Sequence, residues 1–382
     1  MKFIKVIGLI AVFGSLFFAH NGVPRAGFVA EEVAKKVQNS VGTIETISVG
    51  YAALGLGGMP REFGGEERVV PVEVASLRQL VRSFATFFVV SKDGYALSSA
   101  SQLRGADAIE ATLVDGSKCQ AEIVVLDEGW DVALVRLVNP PKSIQPVKFG
   151  NSDLVKQGDS VVVVGAGGGF GNTVSYGIVS ARRGVRLASG QLVPDMIQSD
   201  VVVNVGNQGS PLFNDKGEVI GMHVIFAGGG TAMRGLQNVS FFVPSNLLKR
   251  IYPELIKKKG PAFRPWLGIR PFSGAPTWRG GIAEVNDALK MYLNLPDEYW
   301  DVGVLIADVW DGSPAFDGGL RRTDFLVKLN GKLLKSIGQL EEAVYNAKEG
   351  ERFVFGLIRN NTYREVEVKI GNHPKETLRY YF

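Results

Sequence analysis

Three histidines and one cysteine are all that this 382-residue chain offers for imidazole or thiol chemistry: His20, His223, His373 and Cys119. A single cysteine makes no internal disulfide, zinc ribbon, Cys-x-x-Cys redox pair or iron–sulfur cluster. No metal site and no cofactor are expected. A serine hydroxyl is a weak nucleophile until an imidazole takes its proton and a carboxylate holds that imidazole in the right tautomer. Three blocks carry residues of this kind: Gly94-Tyr95-Ala96-Leu97-Ser98-Ser99-Ala100-Ser101, Trp130-Asp131-Val132-Ala133-Leu134-Val135, and Val203-Asn204-Val205-Gly206-Asn207-Gln208-Gly209-Ser210-Pro211-Leu212. None of the three contains a histidine.

The elements that must position these blocks read as β structure. Length alone suggests two domains, or three. Glycine is 47 of 382 residues, about 12% against a usual ~7%. With 46% hydrophobic residues and no G-X-Y period, that composition describes a turn-rich β protein with a sizeable core. The charge balance is 42 basic against 38 acidic residues, or +4, which gives no reason to invoke nucleic acid.

The spacing predicts a short helix over Glu31–Gln38, a strand near Val41–Val49 and a loop over Gly50–Glu67. Short strands then recur at Phe84–Val90, Tyr95–Ser98, Ala108–Leu113, Ala121–Leu126, Val132–Leu137 and Ser160–Gly165. They continue at Tyr176–Ser180, Met196–Ser199, Val219–Ile225 and Ser240–Val243, with turn residues between them, a barrel or sandwich signal. A helix follows over Asn246–Lys257 with Ser245 as its N-cap, then a basic, helix-breaking linker, Lys257-Lys258-Lys259-Gly260-Pro261. Beyond the linker the pattern restarts, with strands at Val304–Val309, Phe325–Leu329, Arg352–Ile358 and Glu365–Ile370 and a helix at Ile337–Asn346.

The N-terminus carries an export pattern. Two lysines in Met1–Lys5 precede 14 uncharged residues, Val6–Ala19, the arrangement of a secretory signal. A comfortable membrane span needs about 20 residues. The small–x–small cleavage site is poor, because Phe17 precedes Ala19 and Pro24 precedes Ala26. Residues 1–27 are therefore a signal peptide or an uncleaved N-terminal anchor, with residues 6–19 as the anchoring stretch. Either reading exports the rest of the chain, to the periplasm or cell envelope.

The three blocks, in their order and intervals, resemble trypsin-like serine proteases of the HtrA (Deg) type from about residue 31 to 259. Val203–Leu212 resembles the nucleophile loop G-N-S-G-G-P-L. Gly94–Ser101 resembles the strand and turn ending in the catalytic histidine, and Trp130–Val135 the segment carrying the aspartate. Supporting matches are Gly177-Ile178-Val179-Ser180, Ile197-Gln198-Ser199-Asp200 and Val243-Pro244-Ser245-Asn246. The resemblance implies a mainly β fold, a trypsin-like double β-barrel over residues 28–259. It places the triad at Ser101, Asp131 and Gln208, so only the aspartate is kept. A serine is no general base near neutral pH, and a glutamine amide is no acyl-transfer nucleophile. An oxyanion hole built from the N–H groups of Gly206 and Gln208 is the expected remnant. Ser210 or Cys119 with His223 is the alternative pair, and Ser210 would need a rebuilt loop.

The second domain, residues 260–371, resembles a PDZ domain (α+β), with residues 372–382 as a C-terminal tail. Trp266-Leu267-Gly268-Ile269 is similar to the carboxylate-binding loop. Gly303–Val309, Gly312-Ser313-Pro314-Ala315 and Gly319–Phe325 follow the rest of the pattern, with Thr323 in place of a glycine. The implied mode is β-augmentation, a peptide adding as a strand beside Ile269–Phe272 with its side chains toward Leu340 and Val344. Pro271 lacks an N–H, and if it faces the peptide one ladder bond is missing. The aromatic end Tyr380-Tyr381-Phe382 is itself a candidate occupant of such a groove.

Together these imply an exported, catalytically dead HtrA-like protein that binds C-terminal or unfolded peptides, as adaptor, chaperone-like holder or regulator of active HtrA relatives. The family resemblance further implies homotrimers. An active serine endopeptidase with a rebuilt site, and a structural protein using the barrel as a scaffold, are the alternatives.

Overall fold

The computed structural model describes residues 26–52, 77–226, 238–272, 299 and 302–374. The stretch up to residue 25, expected to direct export, and the end Tyr380–Phe382 lie outside the described residues. Among the described residues no helix is long and apolar enough to cross a membrane.

A helix, α1 (Ala26–Val37), leads into a closed six-stranded barrel. Its strands are β1 (Val41–Ala52), β2 (Leu77–Val89), β3 (Tyr95–Ser98), β4 (Ala108–Leu113), β5 (Lys118–Asp127) and β6 (Val132–Leu137), in the order β1-β2-β3-β6-β5-β4. A short helix, α2 (Ala100–Leu103), sits between β3 and β4. β6 shows why the sequence closes this way. Ala133, Val135 and Leu137 join Ile44, Phe87 and Val89 in the barrel interior. The alternate residues Val132 and Leu134 join Val162, Val164 and Leu248 in the cluster between the barrels. A strand covered on both faces reads as a continuous apolar run.

The second barrel is built from β7 (Lys148–Phe149), β8 (Ser160–Gly165), β9 (Thr173–Arg186), β10 (Leu192–Ser199), β11 (Pro211–Phe213), β12 (Glu218–His223) and β13 (Ser240–Pro244). They follow the order β11-β8-β9-β10-β13-β12-β7, and a β11–β12 pairing closes the ring. Val161, Val163, Ile197, Leu212 and Phe242 fill it. The helix α3 (Ser245–Lys258) then packs Leu248, Ile251 and Leu255 into the inter-barrel core.

The PDZ domain contains β14 (Pro265–Trp266), β15 (Ile269–Pro271), β16 (Val304–Val309), β17 (Phe325–Leu329), β18 (Lys332–Leu333), β19 (Arg352–Arg359), β20 (Thr362–Lys369) and β21 (Gly371–Asn372). Its helices are α4 (Pro314–Asp317) and α5 (Ile337–Asn346). β15 is one of the two edge strands of the main sheet, β20 being the other, and β14 pairs with β21.

Several elements differ from the sequence expectation. β2 begins at Leu77 rather than Phe84 because its whole length pairs with β1, from Val41↔Phe88 to Ala52↔Leu77. A pairing partner extends a strand through residues whose own pattern is polar. The same hairpin carries β1 into the predicted loop as far as Ala52. Ser245 is the first helical residue of α3 and not its N-cap. Its Oγ donates to the Gly150 carbonyl at 3.0 Å, and Pro244 occupies the cap position. Regular pairing continues past residue 371, since β21 includes Asn372 and His373 N–H donates to the Arg264 carbonyl at 2.9 Å.

Candidate functional site

Asp131 ends the turn before β6 in a left-handed backbone conformation (φ 54°) and is 5% exposed. Its Oδ1 accepts the Ser101 N–H at 2.7 Å and the Ser99 hydroxyl at 3.0 Å. Ser99 Oγ and Ser101 Oγ lie 2.9 Å apart. The carboxylate thus serves backbone and hydroxyls in the place where a triad would seat an imidazole. Burial pushes its pKa up, against the hydrogen bonds from Ser101 and Ser99. Ser101 itself is half-buried on α2.

The loop 203–210 joins β10 to β11 and is held from several sides. Asn204 N–H donates to Asn207 Oδ1 at 2.8 Å, and Ser210 N–H to the Asn207 carbonyl at 2.8 Å. Gly206 has φ +95°, and a Cβ there would lie 2.3 Å from the Ala166 carbonyl oxygen, so only glycine fits. Gln208 is 8% exposed, and its Oε1 accepts the Gly206 N–H at 2.8 Å. One of the two expected oxyanion donors is therefore spent on the side chain that stands in the nucleophile position. The sequence expectation of Gly206 and Gln208 N–H as an oxyanion hole carried no signal for where a glutamine side chain would turn.

Thr86 on β2 ties the blocks together, and no local motif singles it out. Its N–H donates to the Gln208 carbonyl at 2.9 Å, and its carbonyl accepts the Ser98 hydroxyl at 2.7 Å. Its own Oγ1 donates to the Gly206 carbonyl and accepts the Ala166 N–H, both at 2.9 Å.

The alternative nucleophile has no access. Ser210 is fully buried, its Oγ 3.4 Å from Asn207 Nδ2. His223, 8% exposed at the end of β12, packs on the Phe242 ring at 5.5 Å, and its Nδ1 has no hydrogen-bond partner. Burial pulls its pKa down to about 4, against a backbone hydrogen bond at Asn207. Cys119 lies within β5, half-buried, with its thiol pKa pushed up by burial.

The PDZ groove forms a cavity of about 210 Å³. Trp266, Leu267, Gly268, Ile269, Leu340 and Val344, the residues expected to hold a peptide, all line this one cavity. Leu340 and Val344 stand four apart on α5 and so share one helix face. Gly268 has φ +80°, and a Cβ would lie 2.2 Å from the Ser313 Cβ, which fixes glycine in the loop. Leu267 is also core, 4% exposed.

What the sequence missed is a further part of the lining. The β9–β10 hairpin of the second barrel brings Arg186 and Gln191 to the groove, and Arg186 Nη2 lies 3.2 Å from Glu341 on α5. Trp130, next to Asp131, meets Tyr345 edge-on at 6.0 Å, and the Arg250 guanidinium covers both rings. No local pattern links residues 215 positions apart.

A double β-barrel with a triad-like cleft, followed by a groove-bearing PDZ domain, defines the class of trypsin-like proteases with a C-terminal PDZ domain. Residues 85–222 match the family described as trypsin-like peptidase domain, and residues 267–370 match the PDZ domain family. The chain is similar to a "Probable periplasmic serine endoprotease DegP-like" of Ectopseudomonas mendocina, 34% identical over 319 residues, covering 83% of this chain and 60% of that one. A protein of the same description from Pseudomonas fulva is 33% identical over 348 residues, covering 90% of this chain and 67% of the relative. The chain belongs to this HtrA-type, DegP-like family. It spans 60 to 64% of the length of the Ectopseudomonas mendocina and Pseudomonas putida relatives. Among solved structures, the fold matches the HtrA-type protease AlgW with decapeptide at TM-score 0.68 and 22% identity, covering 90% of this chain and 99% of that one. It also matches the serine endoprotease from Yersinia pestis at TM-score 0.61 and 17% identity, covering 90% and 98%.

Proposed function

We propose that this chain is an exported, periplasmic HtrA-type pseudoprotease that binds C-terminal or unfolded peptide segments through its PDZ groove and does not hydrolyse them in its barrel. The observation that carries the reading is the hydrogen bond from Gly206 N–H to Gln208 Oε1. It occupies an oxyanion donor from within, while Asp131 accepts the Ser99 hydroxyl and the Ser101 backbone N–H and has no imidazole beside it. In this role the protein acts as an adaptor, a chaperone-like holder or a regulator of active HtrA relatives, and it assembles as a homotrimer through the barrels.

The names of its relatives favour a second reading, a serine endopeptidase with a rebuilt site. That site would have to use Ser210, whose hydroxyl is fully buried. A fluorophosphonate probe separates the two. No labelling of the wild-type chain is expected. Labelling that Ser210→Ala abolishes would overturn the pseudoprotease reading. Peptides with a free, apolar C-terminus are expected to bind the full chain, and their C-terminal carboxamides to bind much more weakly. Equal binding of acid and amide would overturn the groove reading.

A further inference from the structure

The edge strand β15 alternates its backbone groups between two sides. The Gly268 carbonyl accepts the Trp310 N–H at 3.1 Å, and the Phe272 N–H donates to the Leu305 carbonyl at 2.8 Å. Both groups point inward, to the segment containing β16. In an extended strand the backbone groups of alternate residues point to the same side. Arg270 therefore also faces β16, and Ile269 and Pro271 face the open edge. Proline has no N–H, and an edge strand with that side turned outward is where a sheet admits it. A peptide added beside β15 meets a full donor–acceptor pair at Ile269 and an acceptor alone at Pro271.

We propose that Pro271 divides the groove, so that it recognises peptides through their terminal carboxylate and last two residues and leaves the third-from-last carbonyl without a partner. The inference rests on the peptide-binding reading above. With the carboxylate at the amides around Leu267–Ile269, the terminal residue lies opposite Ile269. The third-from-last residue then lies opposite Pro271. Its N–H donates to the Pro271 carbonyl, and its own carbonyl faces the pyrrolidine ring. The second-to-last residue points its backbone groups away from the strand. The ligand class is a short C-terminal tag whose upstream chain is free to leave the sheet.

An amide-to-ester replacement between the third- and second-from-last residues tests this on the full chain. It weakens the carbonyl in question and removes only an N–H that points away from the strand. With a fluorescent hexapeptide ending in a free apolar residue, the wild type should bind amide and ester within about twofold. Pro271→Ala restores a donor and should bind the amide about two- to tenfold tighter, a gain the ester loses. An ester that the wild type itself discriminates by that factor overturns the proposal while leaving peptide binding intact. No binding of either peptide by either protein overturns the peptide-binding reading and this one with it. The wild-type comparison stands even if the variant fails to fold.

Discussion

The backbone N–H of Gly206 donates to the side-chain Oε1 of Gln208 at 2.8 Å. The loop proposed as the oxyanion-hole equivalent thus holds an amide oxygen of its own. The fold around it is kept: Thr86 still clamps the loop to the strand leading to Ser98, and Asp131 still sits at the foot of α2. On the pseudoprotease reading proposed above, the barrel keeps its scaffold without the reactive groups.

Restoring those groups together should restore chemistry. Ser101→His supplies the base beside Asp131, and Gln208→Ser supplies the nucleophile and frees the Gly206 N–H. Triad members act as a unit, so each single variant should stay at wild-type background while the double variant gains about 10²-fold or more in peptide hydrolysis. Fluorophosphonate labelling and cleavage of an unfolded substrate read this out. A double variant as inert as the wild type would mean that the cleft geometry is not competent.

His223 makes stability depend on pH. Its pKa is about 4 in the folded chain against 6.5 as the unperturbed value. Between those values the unfolded chain holds a proton that the folded chain does not, so stability rises with pH. It is fully present above about pH 6.5 and is lost as pH falls toward 4. At 1.36 kcal/mol per unit the whole window is worth about 3 kcal/mol. Urea midpoints at pH 7 and pH 5 should differ less in His223→Gln than in the wild type. An equal pH dependence in both would remove His223 as its source.

Asp127 fastens the PDZ linker to the first barrel. Its Oδ1 accepts the N–H groups of Gly129 and Trp130 at 3.1 and 3.3 Å, and its Oδ2 accepts Ala262 N–H at 2.8 Å. The side chain is fully buried. Asp127→Ala leaves three buried donors unpaired, at about 1–3 kcal/mol for each one that water cannot reach. A loss of about 3 kcal/mol by denaturant unfolding is expected, with faster proteolysis after Lys257–Lys259. Unchanged proteolysis would place the linker's order elsewhere.

Arg250 and Tyr345 join α3 to the PDZ helix α5. The guanidinium carbon lies 5.0 Å from the Tyr345 ring centroid and 5.9 Å from that of Trp130. A double-mutant cycle of Arg250→Ala and Tyr345→Ala should give a coupling of about 1 kcal/mol, typical of a partly desolvated cation–π contact. Additive effects would make the stacking incidental.

The sequence by itself determined the fold class, the order of the three cleft blocks and which residue types stand at Ser101, Asp131 and Gln208. Strands such as β3, β4, β6 and β8 were legible to the residue because each carries its own apolar pattern and turn residues. The groove residues Trp266–Ile269, Leu340 and Val344 were legible because a short loop and one helix face encode them. Only the tertiary structure decided the rest. β2 gained seven residues from its partner strand, and Ser245 left its cap for a carbonyl 95 positions away. Gln208 turned back on Gly206, the Gly268 carbonyl and the Phe272 N–H turned toward the segment containing β16, and the second barrel supplied part of the lining of the PDZ groove. These are contacts between distant segments or choices among rotamers. Burial and hydrogen-bond satisfaction settle them once the chain is packed, and no local spacing carries them beforehand.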